Sequence, residues 1–259
     1  MKIPFSKYQG TGNDFVIIDN RNDAVELNKE QVHSLCDRRF GIGADGLMLL
    51  QPSMKYDFEM KYYNADGNEG SMCGNGGRCL VKFAYDNGIV KSQYKFMAVD
   101  GEHEAEFGDR NWVHLKMKDV ADVQNKHGNF ILDTGSPHFI SPVGDVMSTD
   151  VVEEGKEIRY SKEFKEQGIN VNFVQQIEED VIMVRTYERG VEDETFSCGT
   201  GVTASALVFA HNDIGFNRIE VKTKGGYLAV EFNKVNDETF NNIWLCGPAT
   251  FVFKGEVEV

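Results

Sequence analysis

Short apolar runs punctuated by polar turns recur along the whole chain. Phe15–Asp19, Gly46–Leu50, Phe58–Tyr63, Trp112–Met117, Val171–Val174, Val181–Arg185 and Tyr227–Phe232 are each five or so residues long and rich in β-branched or aromatic side chains. That length and composition predict strands. Helical periodicity is rarer. One helix is predicted over 28–36, opened by Asn28 as N-cap. Two more are predicted over Gly76–Asp86 and Gly201–His211, each closed by a polar turn. Both are apolar on nearly every side, through Leu80, Val81, Phe83 and Ala84 in the first and Ala204, Ala206, Leu207, Val208 and Phe209 in the second. Helices of that kind belong inside a domain, wrapped by sheet. The order of strands, a Cys-Gly-x-Gly segment, a buried helix and further strands occurs twice. The expected fold is therefore α/β, with mixed sheets in two pseudo-symmetric halves, 1–120 and 121–250. Their boundary is expected near 118–128, where a polar stretch reads as a crossover.

Composition narrows the function classes. The chain has 259 residues, 41% of them hydrophobic and 26% charged, ordinary values for a globular protein that needs no disulfide staples. Its net charge of −14 argues against a general nucleic-acid surface or an anionic membrane face, but leaves room for a small anionic ligand. No apolar run is long enough to span a bilayer, and the N-terminus lacks the apolar core of a signal peptide. The five cysteines are odd in number and none lies in a Cys-x-x-Cys, so neither a disulfide framework nor a metal site is expected. Reduced thiols in a cytoplasm are the simplest expectation.

Two of these cysteines carry the candidate chemistry. Cys73-Gly74-Asn75-Gly76-Gly77-Arg78 and Cys198-Gly199-Thr200-Gly201-Val202-Thr203 each set a thiol at a helix start. A helix N-terminus favours the thiolate, and glycines leave backbone N–H groups open to an anion. One such thiolate suits a nucleophile, a redox thiol or a base. Two suit removal of a proton from one face of a carbon and its return to the other. Small residues packing where a helix leaves a sheet would look the same at either site alone.

Further segments add specificity. Asn64-Ala65-Asp66-Gly67-Asn68-Glu69-Gly70-Ser71-Met72-Cys73 and its continuation to Arg78 resemble the signature of the diaminopimelate epimerases. Gly10-Thr11-Gly12-Asn13-Asp14-Phe15, Gly135-Ser136-Pro137-His138, Ile169–Phe173 and Tyr187-Glu188-Arg189-Gly190 before Ser197-Cys198 follow in that family's order. The resemblance implies interconversion of LL- and meso-diaminopimelate without pyridoxal, metal or other cofactor, in lysine and cell-wall precursor synthesis. It further implies a homodimer, sheets curled round central helices, a site in the cleft between the halves, and a C-terminal segment 251–259 that returns to the first half. Cys73 and Cys198 are then the acid–base pair, with His138 and Glu188 tuning them. Asn13 is expected near the reacting centre. N–H groups around Gly74, Asn75, Gly199 and Thr200 are expected to meet the carboxylate there. Asn64, Asn170, Glu188 and Arg189 are expected at the distal centre. Taken alone, His138 reads as a loop histidine and Glu188-Arg189 as a surface ion pair.

This chain departs from the family pattern at Ser136, where Asn is frequent, at Gly46, where Gln is frequent, and at Asn68 in place of Ser. Two rivals remain. A proline or hydroxyproline racemase shares Cys-Gly-x-Gly but has no distal carboxylate to bind. A thiol redox sensor would form a reversible Cys73–Cys198 disulfide and turn over nothing.

Overall fold

The computed structural model describes residues 2–108, 110 and 112–259. The chain divides into two compact units, Met1–Leu115 with Gly247–Val259, and Lys116–Cys246.

The first unit contains β1 (Lys2–Gly10), β2 (Asn13–Asp19), α1 (Lys29–Cys36), β3 (Gly46–Gln51), β4 (Phe58–Asn64), α2 (Gly74–Asp86), β5 (Gln93–Ala98), β6 (Gly101–Phe107) and β7 (Val113–Lys116), which reaches the unit boundary. The last strand of the chain, β17 (Thr250–Glu258), joins them by pairing antiparallel with β1, from Lys2 opposite Glu258 to Gln9 opposite Thr250. The sheet then runs through β1, β2, β3, β4, β5, β6 and β7. Of these pairs, β2/β3 and β4/β5 are parallel. Parallel neighbours cannot be joined by a hairpin and need a crossover. Here α1 and α2 lie in those two connections.

The second unit contains β8 (Val123–Lys126), β9 (Asn129–Asp133), β10 (Pro137–Pro142), α3 (Val151–Arg159), β11 (Asn170–Glu178), β12 (Val181–Glu188), the short β13 (Asp193–Thr195), α4 (Gly199–Val208), β14 (Gly215–Thr223), β15 (Gly226–Lys234) and β16 (Phe240–Gly247). Its pairings repeat the same succession of directions. β10/β11 and β12/β14 are parallel, joined through α3 and α4, and the other neighbours are antiparallel. The predicted duplication is thus visible as topology, and the chain is a mixed α/β protein.

Within each unit the second helix is the enclosed one. Helix α2 packs on β1, β2, β3 and β17, and α4 packs on β9, β10, β11, β12, β14 and β15. Ten of the thirteen residues of α2 and eight of the ten of α4 are buried. The outer helices show one apolar face each. Val32 and Leu35 of α1 join Val16, Ile18, Leu47 and Leu49, while Val151 of α3 joins Val171, Phe173 and Tyr187. Among the described residues no helix is long and apolar enough to cross a membrane.

Several element readings change. Both cysteine helices begin two residues earlier than predicted, so that Cys73 and Cys198 are themselves the N-caps, and α4 ends at Val208. The polar 118–128 stretch contains β8. Helix α3 escaped detection because Val-Val-Glu-Glu-Gly-Lys-Glu-Ile-Arg is polar and interrupted by glycine; Asp150 caps it by accepting from the Glu153 N–H at 3.2 Å. The helix α1 prediction stands, with a full capping box between Asn28 and Gln31.

Gly155 explains how closely α3 can lie on β12. A Cβ there would stand 2.5 Å from Tyr187 Cβ and 2.7 Å from Cγ. Alanine in an exposed helix would gain about 1 kcal/mol over glycine, but overpacking costs about 1–3 kcal/mol. Gly155→Ala is therefore expected to lower stability in urea unfolding, and a raised midpoint would refute the close approach.

Candidate active site

In the first unit a tight turn delivers Asn13 to Cys73. β1 and β2 are joined by Thr11 and Gly12, both in the left-handed region (φ 50° and 84°), with Gly10 opposite Asn13. Positive φ at both central residues fits the strand twist of a two-residue hairpin. The Asn13 amide is then oriented. Its Nδ2 donates to Asp45 Oδ2 at 2.6 Å, which turns Oδ1 toward Cys73 Sγ at 3.5 Å and Asn75 Nδ2 at 3.4 Å. Asp45 is held by Arg38 (2.8 Å), which also grips Asp14 with two nitrogens at 3.0 and 2.7 Å. Lys7 adds an ion pair to Asp14 at 2.8 Å. Burial works to raise the Asp14 carboxyl, yet hydrogen bonds from Arg38 and Lys7 prevail and hold it down at about 2.

Behind Cys73 the α2 side chains are locked from below. Arg78, fully buried, donates to Asn75 Oδ1 at 3.0 Å, to the Gly74 carbonyl at 3.3 Å and to Thr11 Oγ1 at 3.5 Å. Cys73 occupies the N-cap position with an extended backbone (φ −97°, ψ 128°), and its thiol makes no capping hydrogen bond to α2. The first-turn N–H groups, including those of Gly74 and Asn75, lie at the open end of the helix. Asn64 ends β4 as an exposed residue, and its carbonyl accepts from the Gly67 N–H at 2.9 Å. A Cβ on Gly46 would stand 2.5 Å from Tyr62 Cε2, and one on Gly70 would stand 2.9 Å from the same ring and 3.0 Å from Asn64 Nδ2. The Tyr62 ring occupies the space that a side chain at position 46 would need.

In the second unit α4 opens in the same way. Cys198 is extended (φ −109°, ψ 112°), 9% exposed, and followed by Gly199 and Thr200 as the first helical residues. Thr200 Oγ1 lies 3.4 Å from Cys198 Sγ, 2.9 Å from His138 Nε2 and 3.2 Å from Ser136 Oγ. His138 is not a loop residue. It stands in β10, fully buried, opposite Asn170 of the parallel strand β11. Asn172 Nδ2 meets its Nδ1 at 3.1 Å and the Phe139 carbonyl at 3.2 Å, while Thr186 donates to Asn172 Oδ1 at 2.9 Å. Burial lowers the His138 pKa to about 3, against a weaker pull upward from Asp133. The imidazole is neutral at physiological pH. Gly201 permits this packing, since a Cβ there would come within 2.3 Å of Asn172 Oδ1 and 3.2 Å of His138 Cε1.

Asn170 bridges to the next segment. Its Nδ2 donates to Ser136 Oγ and the Pro137 carbonyl, both at 3.1 Å, and its Oδ1 accepts the Arg189 N–H at 2.9 Å. Arg189 is exposed, with Nη1 donating to the Gln167 carbonyl at 3.0 Å. Glu188 closes β12 opposite Asp193. The structure thus gathers Asn13, Cys73, Gly74 and Asn75 in one unit, and His138, Asn170, Cys198, Gly199 and Thr200 in the other. The roles of Asp45, Arg78 and Asn172 were missed. Asn170 and Asn172 two apart in an otherwise apolar strand were the available signal, because that spacing puts both amides on one face.

The chain also matches known proteins. The description of diaminopimelate epimerases fits residues 5–121 and 130–252. This chain belongs to the diaminopimelate epimerase family. It is 50% identical over 251 residues to the diaminopimelate epimerase of Flavobacterium psychrophilum, covering 96% of this chain and 97% of that one. The diaminopimelate epimerase of Chlorobaculum tepidum is 45% identical, with 96% and 98% covered. In fold the chain resembles a Bacillus anthracis phenazine biosynthesis protein of the PhzF family, with TM-score 0.78, 15% identity and full coverage of both chains. It also resembles a hydroxyproline epimerase from Agrobacterium vitis, with TM-score 0.67, 13% identity and coverage of 99% and 92%.

The buried neutral imidazole has a measurable signature. Its pKa falls from 6.5 to about 3 on folding, so the unfolded chain binds more protons within that window. Stability is complete above 6.5 and declines as pH falls toward 3, by up to about 1.4 kcal/mol per pH unit. Urea unfolding between pH 6.5 and about 5, above the carboxylate range, is expected to show this slope, and His138→Gln is expected to remove it. An unchanged slope in that variant would refute the assignment.

Proposed function

We propose that this protein interconverts LL- and meso-diaminopimelate by a two-thiol mechanism. Membership of the family, together with two cysteines at the N-cap positions of glycine-rich buried helices in topologically equivalent places, supports the reading. One cysteine enters as thiolate and the other as thiol. The thiolate takes the Cα proton, forming S–H as the C–H bond breaks. Negative charge spreads from Cα into the substrate carboxylate. The opposite thiol then gives its proton to the other face of the carbon, which inverts the centre and leaves the pair with its proton exchanged.

The Cα–H is a very weak acid, and this reading calls on no organic electron sink. Stabilisation of the developing charge falls to backbone N–H groups of Gly74, Asn75, Gly199 and Thr200 at the two open helix ends. A single donor of this kind is worth about 10²–10³ in rate elsewhere, so a group of them is a major contribution. Asn13 orients the reacting centre. Asn64, Asn170, Glu188 and Arg189 receive the distal amino-acid group, the guanidinium suiting its carboxylate. Glu188 and His138 tune the thiols. We place the enzyme in the cytoplasm as a homodimer, within lysine and peptidoglycan precursor synthesis.

LL-diaminopimelate incubated with the enzyme in heavy water should gain deuterium at one α-carbon and yield the meso isomer, whereas trans-4-hydroxy-L-proline should not react. Cys73→Ala and Cys198→Ala should each lower epimerisation by at least about 10²-fold, the lower range for loss of an acid or base. Turnover of hydroxyproline in place of diaminopimelate, or full activity in either single variant, would refute the reading.

A further inference from the structure

The two sulfurs meet opposite kinds of atom. Cys73 Sγ faces Asn13 Oδ1, a carbonyl oxygen that can only accept, and the amide cannot turn over without setting that oxygen against the Asp45 carboxylate. Arg78 fixes the neighbouring Asn75 amide in the same sense, so its Nδ2 also points at Asn13 Oδ1. At the Asn13 contact Cys73 can thus bond only as a thiol that donates.

At Cys198 the donors run the other way. Asn172 Nδ2 is fixed by the Phe139 carbonyl and the Thr186 hydroxyl, so His138 Nδ1 accepts and the ring proton sits on Nε2. That N–H donates toward Thr200 Oγ1 and Ser136 Oγ, at 2.9 and 3.0 Å. Asn170, its own amide fixed by the Pro137 carbonyl and the Arg189 N–H, donates to Ser136 Oγ as well. Ser136 passes its proton direction on to Thr200 Oγ1 at 3.2 Å. With donors arriving from His138 and Ser136, the Thr200 O–H is left to point at Cys198 Sγ, 3.4 Å away. Serine suits position 136 here because a hydroxyl both accepts from Asn170 and donates to Thr200.

We propose that Thr200 is the positioning residue that donates a hydrogen bond to a Cys198 thiolate, and that in the free protein the shared proton rests on Cys73. The assignment deepens the two-thiol reading above and rests on it for its place in turnover. It also implies that Cys198 is the base toward whichever isomer binds the resting protein. The ionisable groups of the surrounding elements are Arg78, Cys79, Asp14 and Asp45 in the first unit, and Asp133, His138, Glu188 and Arg189 in the second. The first-unit cations Arg78, Lys7 and Arg38 act against a proton on Cys73; Lys7 and Arg38 are paired with Asp14 and Asp45, and the Arg78 guanidinium is engaged by Thr11, Gly74 and Asn75. His138 stays neutral and so acts as a donor without adding charge.

The test reads thiolate directly and needs no substrate, so it stands apart from the choice of substrate. Thiolate ultraviolet absorbance is followed against pH in Cys73→Ala, where Cys198 remains, and in Cys198→Ala, where Cys73 remains, each relative to the double variant. Burial pushes Cys36 and Cys79 up to about 11 and about 12, so they stay silent near neutrality. The Cys198 thiolate should appear at a pH lower by at least about one unit, a tenfold difference in thiolate at fixed pH. In the Cys73→Ala background, Thr200→Val should move that midpoint upward and Thr200→Ser should restore it, while Ser136→Ala should move it upward by less. A Cys73 midpoint at or below that of Cys198, or a Cys198 midpoint unmoved by Thr200→Val, would overturn the assignment.

Discussion

Each cysteine stands where it does because two neighbouring strands run in the same direction. A parallel pair has to be joined by a crossover, and in β4/β5 and β12/β14 that crossover contains an enclosed helix. The first-turn N–H groups of such a helix have no partner within the helix itself. Cys73 and Cys198 sit at that point without capping the groups, and in α4 Gly201 stands where a Cβ would come within 2.3 Å of Asn172 Oδ1. The anion-receptive end, the thiol and the buried helix occur together at two of the four parallel crossovers among the described residues, one in each unit.

Around this repeated frame the two units differ in how they orient polar atoms. The first uses charge: Asp14, Arg38, Lys7 and Asp45 form a chain of ion pairs whose product is the fixed direction of one amide, that of Asn13. The second uses neutral groups, with buried asparagines and hydroxyls placed around an uncharged imidazole. Neutral networks avoid the desolvation cost of buried ions, but every member must be satisfied for the arrangement to be favourable. Asn170 and Asn172 each have both ends of the amide engaged, which is how that requirement is met.

Much of this was legible in the sequence, for physical reasons. Strands such as Phe15–Asp19 and Val171–Val174 announce themselves by apolar content, and α1 by its Asn28 cap. The cysteine helices were legible because they are apolar all round, although their first two residues are glycine, asparagine or threonine and read as turn. Strands such as β8 and β17 were hidden by polar or mixed residues whose partners lie far along the chain. His138 read alone as a loop histidine because its burial is created by β9 and β11 on either side, which no local pattern reveals. The family motifs supplied the names of Asn13, Asn170 and Thr200, while the direction of their hydrogen bonds required coordinates.

The pairing of β1 with β17 sets an order on synthesis. The second unit is continuous, Lys116–Cys246, and has all its strands as soon as that stretch has left the ribosome. The first unit begins the chain yet lacks its edge partner until residues 250–258 are made. Through most of translation β1 therefore presents an open edge, with Ile3, Phe5 and Tyr8 awaiting their final cover. The unit that starts first is the one completed last, and the nascent chain must keep an unfinished sheet from pairing elsewhere while its neighbour folds.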